Sequence, residues 1–251
     1  MTKTAPNVVQ RLEEANFRAW PALRTERLGG WLLRYADGHT KRANSVNVLE
    51  RSGDPLPERI EAAEARYASL GQPAIFRLSP LAEPALDGLL TGRGYRKLDI
   101  TNVRTTRVPA SLQAHPDVTL SDSVEEDWFR GYCRHNPVAR TDQGTLAAML
   151  ERIEGRRCFA SIREERTLKA FGMAVADPPL CGFLGILVAL DCRGKGWGRA
   201  IMNSLIAWAR DEAGAHELWL QVVADNEPAV SLYRSLGFEQ VYDYHYRVRV
   251  R

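Results

Sequence analysis

Apolar positions along the chain switch between a helical and a strand period, and the order of the switches occurs twice. Residues 7–20 place Val8, Leu12, Ala15 and Ala19 near helical spacing, and Pro21 ends the run. Residues 30–36 read as a strand, Asp37-Gly38 as a hairpin-type turn and residues 43–49 as a second strand. After the loop SGDPLP, residues 58–70 read as a helix stopped by Gly71, and residues 74–78 as a strand. A further helix starts near Pro84, runs through Leu86, Leu89 and Leu90 and stops near Gly94. Residues 95–108 read as one long strand or a strand pair, and PASLQAHP (109–116) as a linker.

The second half follows a similar order. A short strand at 118–120, helices at 124–133 and 145–153, and strands at 157–162, 170–176 and 181–188 precede a glycine turn. The helix after that turn carries Ile201, Met202, Leu205, Trp208 and Ala209 as one broad apolar stripe and ends at Gly214. A strand at 217–222, a helix opened by Pro228 and stopped by Gly237, and a basic tail complete the pattern. The tail alternates Arg247, Arg249 and Arg251 with Val248 and Val250, which predicts an edge strand with one solvated face. The fold class expected is α/β with mixed sheets, built as two tandem units over residues 1–110 and 117–251.

The candidate chemistry sits in the glycine turn. A buried strand feeding a glycine-rich turn that opens a helix leaves backbone N–H groups without intrahelical partners, at the positive end of the helix dipole. Gly194, Gly196 and Gly198 let a ligand approach that backbone closely, and Arg193, Lys195 and Arg199 add full positive charge. The turn is an anion cradle, best suited to a pyrophosphate. It lacks the Lys-Ser or Lys-Thr pair of a Walker loop, and a GxGxxG frame from Gly194 would require glycine where Arg199 stands.

Arg-x-x-Gly-x-Gly, read as Arg193, Gly196 and Gly198, resembles the pyrophosphate loop of the GNAT superfamily of acyl-CoA N-acyltransferases. A second stretch supports the resemblance: Asn226 stands seven residues ahead of Tyr233 on the helix after the next strand. The resemblance covers roughly residues 117–251 and implies acetyl-CoA as co-substrate, with no metal. It implies that residues 193–199, Trp197 among them, cradle the pyrophosphate, that Ile186, Leu187 and Val188 bond pantetheine through their backbone, and that the N–H of Val188 polarises the thioester carbonyl. It implies that Asn226 bonds the pantetheine arm and that Tyr233 protonates the departing thiolate. A Glu that several relatives use as base is replaced by Gln221; Asp177, Asp225, His135 and His216 are the nearest titratable candidates. Trp197 and Trp128 also read as packing residues, while Tyr132 and His135 fall in a region that shapes the acceptor pocket in relatives.

Aligning Gly94-Tyr95 with Gly237-Phe238 sets Leu90 opposite Tyr233 and Glu83 opposite Asn226. Aligning Gly71 with Gly214 sets Glu50, Gly53 and Pro55 opposite Arg193, Gly196 and Gly198, and Asp54 adds a second negative charge. Carboxylates repel a phosphate, so the first half reads as a degenerate copy without a cofactor site. Its polar stretch TKRANS (40–45) could face a ligand or the other domain, or be a half-exposed strand.

Composition narrows the partners. The 251 residues are 45% hydrophobic and 26% charged, as in a globular protein, and the net charge of +3 does not suggest nucleic acid. Residues 1–112 carry 17 basic against 12 acidic side chains and the remainder 17 against 19, a mild asymmetry that a solvated basic face explains. The polar N-terminus, the lack of membrane-length apolar runs and four scattered cysteines predict a cytoplasmic protein with reduced thiols. The expected function is acetyl transfer from acetyl-CoA to a primary amine by direct attack. A non-catalytic acyl-CoA sensor is the alternative, with the acceptor (small molecule or protein) and the oligomeric state left open.

Overall fold

The computed structural model describes residues 5–136, 138–165 and 167–249. In chain order the first half contains α1 (Pro6–Ala19), β1 (Arg24–Leu28), β2 (Trp31–Tyr35), β3 (Val46–Val48), α2 (Leu56–Ala68), β4 (Ile75–Leu78), α3 (Leu86–Gly92) and β5 (Arg96–Arg107). The second contains β6 (Thr119–Ser121), α4 (Glu126–His135), α5 (Gln143–Glu151), β7 (Arg156–Glu164), β8 (Thr167–Asp177), β9 (Leu180–Val188), α6 (Trp197–Asp211), β10 (Glu217–Val223), α7 (Glu227–Ser235) and β11 (Glu239–Val248). Nearly every expected element is present within a few residues. β1 escapes the pattern because its RTERL sequence is polar and mostly exposed, with no apolar face to betray it.

The strands form one 11-stranded mixed sheet in the order β1-β2-β3-β4-β11-β5-β10-β9-β8-β7-β6. The two halves exchange their last strands. β5 of the first half pairs antiparallel with β10 of the second, and β11 of the second half pairs with β4 and β5. The basic tail is therefore not an edge strand. Arg247 is buried and bonds Asp87 of α3 through Nε at 2.7 Å and Nη2 at 2.9 Å, and His245 Nε2 meets the same carboxylate at 2.8 Å. Alternating Arg and Val marked a two-faced strand correctly; what covers the arginine face comes from the other half, which local pattern cannot report. Arg251 and Val250 lie outside the described residues.

Alternation along each strand divides the core between the sheet's two faces. On β8, Phe171, Met173 and Val175 join the aromatic core under α1, α2, α4 and α5, while Ala170, Ala174 and Ala176 face α6. The small alanines let α6 pack close to the sheet. A buried ion pair between Glu13 of α1 and Arg77 of β4, with Tyr242 of β11 donating to Glu13 at 2.6 Å, ties the halves together. The expected linker is itself anchored: Arg210 of α6 bonds the carbonyls of Pro109 and Leu112, and Ser204 Oγ accepts from the N–H of His115 at 2.9 Å.

The repeat shows in the caps. Gly94 and Gly237 both adopt positive φ (83° and 86°), and the N–H groups of Tyr95 and Phe238 donate to the carbonyls of Leu90 and Tyr233, each at 3.0 Å. The alignment of Leu90 with Tyr233 thus has a hydrogen-bonded counterpart in the fold.

Candidate active site

The glycine turn opens α6, as the pattern predicts. Gly194 and Gly196 have φ of 78° and 83°, and a Cβ at either would meet nothing within 4 Å, so the backbone faces open space. Gly196 caps α6 with no side-chain bond, and the first intrahelical bond runs from Ala200 N to Gly196 O. The preceding N–H groups remain available to an anion. Gly198 has a different job: a Cβ there would lie 3.3 Å from Leu232 and 3.6 Å from Val188, so its absence lets α6, α7 and β9 meet. Arg193, Lys195 and Arg199 are exposed around this point. Lys195 lies 5.3 Å from the centroid of half-buried Trp197, which packs against the core as expected, and Arg199 donates to Ser235 Oγ at 2.5 Å. The nearest carboxylate in sequence, Asp191, is held by Lys169 at 2.7 Å.

The second component is a parting of strands. β9 and β10 run parallel from Leu180↔Glu217 only as far as Phe183↔Leu220. Beyond that point β9 carries a bulge. Its pairing with β8 shifts between Met173↔Leu184 and Phe171↔Leu187, so that Gly185 and Ile186 together oppose Gly172. Gly185 takes φ 62°, and a Cβ there would lie 3.0 Å from the ring of Tyr132; Gly172 leaves room for Ile186. Past the bulge, Ala189 N donates to Lys169 O at 2.8 Å, which makes that a bonded pair. The alternation of an antiparallel ladder then turns the N–H and C=O of Val188 away from β8, toward the edge that β10 has left.

Between the parted strands lies a cavity of about 180 Å³ whose walls include Gly185, Ile186, Gln221, Asn226 and Tyr233. Asn226 Oδ1 accepts from Ala229 N at 3.3 Å, capping α7. Tyr233 is buried, and burial pushes its phenol up to about 12. Leu187 and Val188 continue β9 from the cavity to the cradle. At the corresponding place in the first half the alignment sets an ion pair. Glu83, opposite Asn226, forms a buried ion pair with Arg59 at 2.5 Å, and Arg59 lies over the Trp31 ring.

None of the four sequence-derived base candidates lines this cavity. Asp177 is paired with Arg18 at 2.7 Å, and His216 lines a separate cavity of about 580 Å³ at the opposite end of β10. His135 packs on Phe171, and Asp225 lies in the turn before α7. Two other cavities, of about 270 and 440 Å³, lie on the far side of Arg42, which borders all three. Tyr132, stacked on the core residue Trp128 at 5.4 Å, lines both outer spaces.

Residues 40–45 are therefore not a strand. They form a turn organised by buried Asn44, whose Oδ1 accepts from Ala36 N (2.7 Å) and Gly38 N (3.0 Å) and whose Nδ2 donates to His39 O (2.7 Å). Thr40, Lys41 and Arg42 line cavities shared with Tyr132, Gly185 and Gln221 of the second half. At the back of the middle cavity, Tyr244 donates to Gln221 Oε1 at 3.0 Å, leaving the buried Nε2 of Gln221 without a partner. Burial pushes the Tyr244 phenol up, but Arg77, 3.6 Å from the ring centroid, and Arg42 bring it below its usual value.

A glycine cradle on a helix N-terminus, beside a parallel pair that parts at a bulge, defines an acyl-CoA N-acyltransferase of the GNAT superfamily. Residues 7–249 match the family described as probable histone acetyltransferase Rv0428c C-terminal, and the chain belongs to that family. It is 30% identical over 249 residues to an uncharacterized N-acetyltransferase, YobR, of Bacillus subtilis (strain 168), covering 96% of this chain and 98% of that protein. It is 29% identical over 240 residues to the probable histone acetyltransferase Rv0428c of Mycobacterium tuberculosis, covering 92% of this chain and 70% of that one. A GCN5-related N-acetyltransferase from Kribbella flavida shares the fold with TM-score 0.72 at 17% identity, over 97% of this chain and 96% of that one. So does a tandem GNAT protein from the clavulanic acid biosynthesis pathway, with TM-score 0.60 at 13% identity, over 96% and 88% of the two chains. The chain is an acyl-CoA-dependent acetyltransferase. Among the described residues no helix is long and apolar enough to cross a membrane.

Proposed function

We propose that the chain transfers an acetyl group from acetyl-CoA to a primary amine by direct attack, using the second half as the catalytic unit. The observation that carries this reading is the parting of β9 and β10 immediately after Phe183↔Leu220, with the cradle at one end and Tyr233 on its wall. The open ladder edge of Ile186–Val188 suits a pantetheine amide chain, which would bond to it as an added strand. Arg193 and the N–H groups of residues 194–199 suit the pyrophosphate, with Asn226 Nδ2 free to bond the arm while Oδ1 caps α7. The thioester supplies an activated acetyl group. The N–H of Val188 would polarise its carbonyl.

Tyr233 is suited to be an acid and not a base. A phenol pushed up to about 12 stays protonated at neutral pH and can hand its proton to the leaving thiolate. The amine must arrive unprotonated. For a lysine-like amine near pKa 10.4 the neutral fraction at pH 7 is about one in 10³, a cost of roughly 4–5 kcal/mol. Among the described residues no carboxylate lines the inner cavity to remove that proton, so the rate should climb with pH toward the acceptor's own pKa.

Release of free CoA thiol across a panel of amines tests the reading, with the product identified by mass as an amide stable to hydroxylamine. Arg193→Glu should weaken acetyl-CoA binding by about tenfold or more while leaving thermal unfolding unchanged, since the side chain is exposed. Tight acetyl-CoA binding with no amide formed from any amine would overturn it in favour of the sensor.

A further inference from the structure

Among the described residues the guanidinium of Arg42 has no counter-ion, and it stands where three cavities meet. It borders the inner cavity, which holds Asn226 and Tyr233 on its wall, and both outer cavities. No carboxylate lies within ion-pair distance of it among the described residues, and its Nε is buried without a hydrogen-bond partner. Its neighbour Lys41 differs: that ammonium is neutralised by Asp99 at 2.8 Å. Asp142, in the outermost cavity beside His39, takes a bond from Thr141 at 2.9 Å and makes no ion pair with Arg42.

The position of Arg42 is built, not incidental. Its backbone carbonyl accepts from Arg34 Nη1 at 2.7 Å, and Arg34 is itself buried among the carbonyls of Phe17 and Trp20. Thr40, two residues earlier, takes φ 58° and accepts from Trp20 Nε1 at 3.2 Å. The Arg42 guanidinium stands 5.9 Å from the Trp20 ring centroid, so one flank is apolar, and the residue lines all three cavities. Keeping a cation half-buried there without a partner costs free energy in the unliganded protein, a cost that a bound anion removes.

We propose that Arg42 binds an oxyanion on the acceptor, so that the preferred acceptors are small primary amines that also carry a carboxylate or phosphonate. The inference rests on the amine-transfer reading above for the amine, and on Arg42 alone for the anion. A guanidinium grips a carboxylate or phosphate through parallel N–H bonds, which fixes the rest of the molecule relative to the inner cavity. The middle cavity, about 270 Å³ between Arg42 and Gln221, has room for a molecule of amino-acid size. A dicationic acceptor or a lysine in a basic segment would instead bring like charge against Arg42. The first half, which lost its own cofactor loop, thus supplies the residue that selects the substrate.

The test compares L-amino acids and ω-amino acids with their amides, each rate corrected to the fraction of neutral amine, and with aminoalkylphosphonates of matching length. The acid should exceed its amide in kcat/KM by about 10- to 100-fold, the range for a charge-assisted bond to a buried partner. That ratio should collapse toward one in Arg42→Gln and persist in part in Arg42→Lys; being taken within each variant, it is insensitive to folding losses. A phosphonate that outperforms the carboxylate would assign the oxyanion as phosphate-like. Binding of the N-acetylated acid and of its amide, measured with CoA present, needs no turnover. If no amine is acetylated but the acetylated acid binds and Arg42→Gln abolishes its binding, the transfer reading falls and the anion site stands. If acids, amides and diamines are acetylated alike, and Arg42→Gln changes no ratio, transfer stands and the anion site is refuted.

Discussion

Replacing Gly185 by alanine should damage the site by more than the substitution costs the backbone. At φ 62° an L-residue carries a penalty of about 1–2 kcal/mol. The new Cβ would also lie 3.0 Å from Cε2 of Tyr132. That ring is stacked on buried Trp128 at 5.4 Å and packs near Phe171 at 6.2 Å, so it has little room to retreat, and displacing it adds about 0.5–1.5 kcal/mol. The expected loss is about 1.5–3.5 kcal/mol, or roughly 3–14 °C in Tm for a chain of this size. Gly214→Ala is the matched control. It has φ 68°, a Cβ there would meet nothing within 4 Å, and it lies at the far end of α6, so it should cost only the backbone share. The decisive measurement is calorimetric titration with acetyl-CoA. If the Gly185 bulge sets the open edge of Ile186–Val188, Gly185→Ala should lose tenfold or more in affinity while Gly214→Ala binds normally. Equal affinity in both variants would refute the idea that the bulge shapes the cleft.

Tyr233→Phe should leave acetyl-CoA affinity within about twofold and lower kcat by about 10²-fold, the usual scale for a lost proton donor; an unchanged kcat removes the phenol from the reaction. Because burial holds that phenol near 12, the wild-type rate should show no alkaline decline up to about pH 10, and a fall centred near pH 8–9 would contradict the assignment. Arg247 and His245 hold the Asp87 carboxyl below its usual range, so the ion pairs stabilise the fold fully above the unfolded value near 3.9 and lose their effect as pH falls through the folded one. Asp87→Asn should therefore destabilise by about 1 kcal/mol at pH 6, a modest figure because the carboxylate is partly exposed, and the gap to wild type should narrow toward pH 3 in urea titrations. Residues 117–251 produced alone should not give a stable monomer, since β10 would lose β5 and β11 would lose both neighbours; a monodisperse, cooperatively melting fragment would show the exchange to be dispensable.

How far the chain could be read in advance follows from the range of each interaction. The cradle and the Asn226–Tyr233 helix were legible because a glycine turn, a cap and a helix stop are built from residues within a few positions of one another. The caps at Gly94 and Gly237 carried the repeat for the same reason. Arg42 was visible only as part of a polar stretch, because its importance depends on Gly185, Gln221 and Tyr132 arriving from elsewhere. Gly185 looked like any strand residue, since a bulge is a relation between two strands and leaves no period in either. The placement of β11 was misread for a related reason. Its alternation is genuine, but Asp87 and Tyr95, which meet Arg247, belong to the first half.

The strand exchange also sets a schedule for the chain as it is made. Residues up to 107 can leave the ribosome with α1, α2 and β2–β4 in place, yet the slot beside β4 is filled only by residues 239–248, roughly 130 residues later. Until then β4 and β5 each present an unpaired edge, and the Glu13–Arg77 pair lacks the phenol of Tyr242. Neither half can finish before the other has begun. The first half cannot be dispensed with, because the last strands of the second half close only against β4 and β5 of the first.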